Sequence, residues 1–182
     1  MRVCIFVTGP PGIGKTTVLL KTAEKLIAKG YKLGGMVTQE IRERGIRVGF
    51  EIRDFASGKK GWLAHIHQPV GPRLGKYRVH LENLNSIGAI AIIAALRTAD
   101  IVLVDEIGPM ELFSQAFIDA VQKVINGSKS ILASIHFRAQ HSVVMQIKSR
   151  KDVIVIEVTP KNRIQLPTII TNEVIKTEKQ TM

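Results

Sequence analysis

An α/β fold is predicted for this chain from three observations. Apolar runs of strand length alternate with segments of helical periodicity, a Gly/Pro-rich turn joins the first strand to the first helix, and no repeat or low-complexity tract interrupts the alternation. Such a pattern specifies a mostly parallel sheet with helices on both faces. At 182 residues, 45% hydrophobic and 23% charged, the chain is expected to form one domain, 1–182, with a frayed tail over about 176–182.

Val3–Thr8 is a continuous apolar run and reads as a buried strand. Leu19, Ala23, Leu26 and Ile27 then fall on one helical face, and Gly30 supplies the residue that ends the helix. Leu33–Gln39 is a second strand. Ile46–Phe55 follows across Arg42-Glu43-Arg44-Gly45, alternating Val48, Phe50 and Ile52 with polar neighbours, and Trp62–Ile66 is a third short strand. These segments form an antiparallel excursion on the sheet. Pro69–His80 reads as a basic loop before a helix over Glu82–Thr98. Ile101–Asp105 is a strand. Glu111–Asn126 is an amphipathic helix with Phe113, Ala116, Phe117, Ala120, Val121 and Val124 on one stripe, closed by Gly127. Ser130–Ile135 and Val153–Val158 are core strands on either side of a helix over Ala139–Arg150. Pro160 and Pro167 punctuate a partly helical C-terminal segment.

Composition narrows the function classes. The longest apolar run, Ile87–Leu96, is about half the ~20 residues that a membrane-spanning helix needs. The N-terminus enters strand-like sequence directly, without a secretory signal. The single cysteine, Cys4, lies in that strand and has no partner for an internal disulfide, which points to a reducing, cytoplasmic setting. Net charge is +11, but the basic residues are scattered and aromatics make up only 5%. A field that draws in polyanionic nucleotides is favoured over a nucleic-acid interface.

Gly9-Pro10-Pro11-Gly12-Ile13-Gly14-Lys15-Thr16 matches G-x-x-x-x-G-K-[ST], the P-loop pattern. Its glycines allow successive N–H groups to point into one concavity at a helix N-terminus, where the dipole also favours anions. Lys15 is placed for the β- and γ-phosphates, Thr16 for a Mg²⁺ position, and Thr17 for a further phosphate contact. The flanking buried strand and amphipathic helix are the context that the motif requires.

Ile101-Val102-Leu103-Val104-Asp105-Glu106 is an apolar strand ending in acids, the Walker B pattern. Asp105 is the candidate Mg²⁺ partner and Glu106 the candidate base for an attacking water. Both can reach the phosphates only if the strand turns there, and Gly108-Pro109 suggests that it does. Ser134 and His136, at the end of the following strand, are weaker candidates for sensing the γ-phosphate. Arg138 reads as a surface residue rather than an arginine finger, so unaided turnover should be slow. The histidines have no metal-like spacing.

GPPGIGKTT, GGMVTQEIRERGIRVGFEI and VDEIGPMELFS together resemble the small nucleoside-triphosphatases known as thermophilic or cancer-related NTPases, over roughly Arg2–Val158. The resemblance implies a RecA-like fold and hydrolysis of ATP, GTP and other NTPs with little regard for the base. It also implies Lys15, Thr16, Asp105 and Glu106 in the roles above. The rival readings are a nucleoside or nucleotide kinase and a nucleic-acid-linked ATPase. A water-activating Glu106 favours hydrolysis, and only Arg73, Lys76 and Arg78 come near the lid that a kinase wants.

Overall fold

The computed structural model describes residues 2–179. The strands are β1 (Cys4–Thr8), β2 (Leu33–Glu43), β3 (Ile46–Asp54), β4 (Lys60–His65), β5 (Arg73–Leu74), β6 (Tyr77–Val79), β7 (Ile101–Ile107), β8 (Ser130–Ile135) and β9 (Ile154–Glu157). The helices are α1 (Lys15–Ile27), α2 (Leu81–Asn83), α3 (Ile90–Thr98), α4 (Gln115–Asn126), α5 (Ser142–Ser149) and α6 (Leu166–Lys179).

One nine-stranded sheet runs in the order β5-β6-β4-β3-β2-β7-β8-β1-β9. Its parallel core is β2-β7-β8-β1-β9, and from β2 outward the pairings turn antiparallel. The expected α/β sheet with an antiparallel excursion is therefore the observed one. Strand β8 lies between β1 and β7, so the strands carrying the P-loop and the paired acids are second neighbours.

Side chains alternate along β1 and build a core on each face. Val3, Ile5 and Val7 pack with Val18, Leu19, Ala23 and Leu26 of α1 and with Leu166, Ile170 and Val174 of α6. Cys4 and Phe6 face the opposite layer, where α3, α4 and α5 contribute Ile92, Phe117, Val121 and Val144. Burial raises the Cys4 thiol pKa, consistent with a small core residue.

Several boundaries differ from those expected. Strand β2 runs on to Glu43 because the hairpin turn contracts to Arg44-Gly45, both at positive φ, with Glu43 paired to Ile46. The expected basic loop over Pro69–His80 contains the β5–β6 hairpin, which extends the sheet edge through Arg73–Arg78 and Leu74–Tyr77 pairs. The helix expected over Glu82–Thr98 is broken by a π-helical stretch, Leu84–Ala89. That expected from Glu111 starts at Gln115, because the Ser114 hydroxyl accepts the Phe117 N–H and caps it. A 3₁₀ turn over Glu111–Phe113 precedes it, and Phe113 and Ala116 face solvent rather than the core stripe. The helix expected over Ala139–Arg150 shortens to α5, and β9 is a short, partly exposed edge strand. At the C-terminus α6 extends through Lys179, and the rest of the expected frayed tail, 180–182, lies outside the described residues.

Candidate functional site

The chain leaves β1 at Thr8 and enters α1 at Lys15 through a loop whose Gly9, Gly12 and Gly14 have φ of +146°, +76° and +108°. These are left-handed conformations that a β-carbon penalises, and at Gly9 it would also come within 3.0 Å of the Val158 carbonyl oxygen. Gly14 caps α1 with no side chain to offer, and the first turn holds no acid. Because Val18 N–H donates to the Gly14 carbonyl at 2.9 Å, the Lys15, Thr16 and Thr17 amides precede the helical ladder. Uncapped amides and an uncompensated dipole make this helix end attractive to an anion.

The expected residues converge there. Pro11, Gly12, Gly14, Lys15, Thr16, Thr17 and Glu106 line one cavity of about 780 Å³. Lys15 Nζ donates to the Gly9 carbonyl at 3.1 Å and lies 3.5 Å from Glu106 Oε1. Gly9 and Pro10 thus stand behind Lys15, and the Ile13 side chain packs under the loop against the α1-side core. Thr16 Oγ1 donates to Asp105 Oδ2 at 2.7 Å, and Ser134 Oγ donates to Oδ1 at 2.6 Å. Asp105 is buried, and loss of solvent pushes its carboxyl up to about 6, although the two hydroxyl donors favour the anion.

Both acids reach this side for a physical reason. Val104 pairs with Ala133 but Ile107 pairs with Ile135, so β7 carries one extra residue against β8. Such a bulge re-aims the side chains within it and lets neighbours share a face. Strand β7 therefore continues to Ile107, beyond its expected end at Asp105. Glu106 Oε1 is buried and has no hydrogen-bond partner among the described residues.

Glu111 is a third carboxylate, absent from the expected site. The loop Gly108-Pro109-Met110 folds it back to line the cavity. A β-carbon on Gly108 would sit 3.1 Å from Glu111 Oε2, 3.4 Å from His136 Cβ and 3.6 Å from Glu106 Cδ, so the three side chains meet around that glycine. Burial first, then the neighbouring Glu106, pushes the Glu111 carboxyl up to about 8. The available sequence signal was an acid set between apolar Met110 and Leu112 just after a strand end.

The weaker candidates separate. Ser134, on β8 opposite Val7, is committed to Asp105 rather than facing the cavity. His136 lines the cavity, its Nδ1 accepting the Arg138 N–H. Arg138 is exposed and does not line it.

Comparison with known proteins agrees with this picture. The family model described as NTPase matches residues 4–171. The chain is 49% identical over 168 residues to nucleoside-triphosphatase THEP1 of Thermofilum pendens, covering 92% of each chain. It is 50% identical to the THEP1 of Methanosarcina acetivorans, over 94% of this chain and 97% of the relative. Its fold matches the crystal structure of THEP1 from the hyperthermophile Aquifex aeolicus with a TM-score of 0.84 at 30% identity, over 96% of this chain and 99% of that one. It also matches the solution structure of a human cancer-related nucleoside triphosphatase, with a TM-score of 0.77 at 35% identity, over 94% and 97%.

Proposed function

The chain belongs to the NTPase family and is a nucleoside-triphosphatase; from this premise we propose that it hydrolyses the γ-phosphate of ATP, GTP and other NTPs to NDP and phosphate, with Mg²⁺ and with little base selectivity. The observation that carries this reading is Glu106 Oε1, a buried carboxylate oxygen without a hydrogen-bond donor, 3.5 Å from the P-loop lysine. An acceptor left open at that point suits the O–H of an attacking water.

In this reading the triphosphate lies along the α1 N-terminus, with the amides of Lys15, Thr16 and Thr17 as donors. Lys15 moves from the Gly9 carbonyl to the β- and γ-phosphate oxygens. Water attacks the γ-phosphorus, Glu106 takes its proton, the bond to the β–γ bridging oxygen breaks, and NDP leaves. Thr16 and Asp105 would hold Mg²⁺. Their hydroxyl and carboxylate oxygens are the hard donors that this ion prefers, and it takes few protein ligands beside substrate oxygens and water. When bound, it neutralises charge on the phosphates. Ser134 keeps the Asp105 carboxylate aimed at Thr16.

The test is phosphate release from each NTP, alone and with nucleoside acceptors, followed by product analysis. NDP and inorganic phosphate without an acceptor are expected. A phosphorylated acceptor with no free phosphate would overturn hydrolysis in favour of a kinase.

A further inference from the structure

The hydrolysis proposed above gives an acceptor to one hydrogen of the attacking water and leaves the other unassigned. Glu106 takes the first. A water held by a single contact still swings about it, and a second contact fixes its lone pair on the γ-phosphorus. The described side chains around Glu106 narrow the choice. Lys15, 3.5 Å away, carries donors alone. Asp105 is occupied by the Thr16 and Ser134 hydroxyls. His136 accepts the Arg138 N–H at Nδ1, so its Nε2 carries the hydrogen and donates. Glu111 is the acceptor that remains.

Glu111 is only 5% exposed, yet it lines the cavity together with Glu106. The site of a β-carbon on Gly108 lies 3.1 Å from Glu111 Oε2 and 3.6 Å from Glu106 Cδ. The two carboxyls therefore flank one point, within reach of a single bridging water. No cation claims Glu111: it forms no ion pair among the described residues, and Lys15 approaches Glu106 instead. The turn after β7 holds it in place. The amides of Glu111 itself and of Gly108 bond to its carboxyl, and the Leu112 N–H donates to the Gly108 carbonyl at 3.0 Å. Burial keeps the carboxyl largely protonated at neutral pH, so it adds no repulsion toward a γ-phosphate while its carbonyl oxygen still accepts. An apolar side chain between Met110 and Leu112 would fill the same space without the cost of burying an acid.

We propose that Glu111 is a second catalytic carboxyl of the hydrolysis, accepting a hydrogen bond from the attacking water while Glu106 takes the other hydrogen as a proton. It rests on the reading of Glu106 as the base. The water oxygen bonds to the γ-phosphorus as the bond to the β–γ bridging oxygen breaks. One proton passes to Glu106, and the other stays on that oxygen as a hydroxyl of the product phosphate, hydrogen-bonded to Glu111. The test uses the full chain with Mg²⁺ and compares three quantities. These are kcat for ATP, affinity for the β,γ-imido analogue of ATP, and affinity for ADP with fluoroaluminate, which mimics the transition state with its water in line. Glu111→Met should lower kcat at least about tenfold and weaken ADP–fluoroaluminate binding in step, with affinity for the imido analogue kept within about twofold. Glu111→Gln keeps the accepting oxygen and should recover most of both losses. Equal weakening of the two analogues would reduce Glu111 to shaping the loop and overturn the proposal. So would parent kcat in Glu111→Met, kcat lost with fluoroaluminate affinity unchanged, or Glu111→Gln as impaired as Glu111→Met. Glu111→Leu takes the same place if Glu111→Met does not fold. Hydrolysis at the parent rate in Glu106→Gln would instead overturn the base assignment, so the two failures are told apart.

Discussion

The Thr16 hydroxyl donates to the Asp105 carboxylate at 2.7 Å, joining the first turn of α1 to the far end of β7. The bond aligns the two side chains proposed to hold Mg²⁺ before any ion arrives. Thr16→Ala removes one proposed ligand and one of the two donors that orient the other, Ser134 being the second. Mg²⁺ titrations of phosphate release should shift by at least about tenfold, with Thr16→Ser restoring most of the loss. An unchanged Mg²⁺ dependence in Thr16→Ala would remove this pair from the site.

Lys15→Ala should nearly abolish turnover and leave the fold intact. Among the described residues the ammonium bonds only to loop carbonyls and approaches Glu106, so little of the core depends on it. Phosphate release and thermal unfolding, measured together, check both halves. A mutant with parent activity would take the P-loop out of the mechanism.

Base discrimination should be weak if, as proposed, the residues assembled around α1 address the triphosphate. The ratio of kcat/KM among ATP, GTP, CTP and UTP is expected to stay within about a hundredfold. A larger preference would require a hydrogen-bonding pocket for the base.

Glu111 should give the nucleotide-free protein an unusual pH dependence. Its carboxyl is raised to about 8, so between the ordinary glutamate range and that value the folded state binds more protons than the unfolded one. The stability it contributes is complete at low pH and is lost as pH rises through about 8. Asp105, Glu106 and His136 share the neighbourhood, and Asp105 adds a drop in the same direction near 6. Glu111→Gln should flatten the fall in unfolding temperature between about pH 5 and 8, and stabilise the protein by at least about 1 kcal/mol at the upper end. A parent and mutant with parallel profiles would contradict this.

The parts of the site written in contiguous residues were legible from the sequence. The P-loop declares itself through glycine spacing between an apolar strand and a periodic helix, and the paired acids through the apolar run before them. Strand-level alternation likewise gave the antiparallel excursion around Val48, Phe50 and Ile52. What sequence could not carry was partnership across the sheet. Ser134 looked like any strand-end hydroxyl until β8 was placed between β1 and β7, which puts it against Asp105. Glu111 looked like the first residue of a helix, because its return to Glu106 depends on the Gly108-Pro109-Met110 loop. The β5–β6 hairpin was hidden for another reason: strands of two and three residues are too short for a period-two pattern.

The central claim is that Glu106 is the base for water. It lies beside Lys15, lines the cavity, and keeps one buried oxygen without a donor. Glu106→Gln preserves shape and hydrogen-bonding capacity but removes the basic oxygen, and a positioned base contributes about 10²–10⁴ in rate. The decisive measurement is single-turnover ATP hydrolysis by this variant alongside its MgATP affinity. Affinity close to that of the parent with hydrolysis slowed by that factor is the predicted result; hydrolysis at the parent rate would contradict the account.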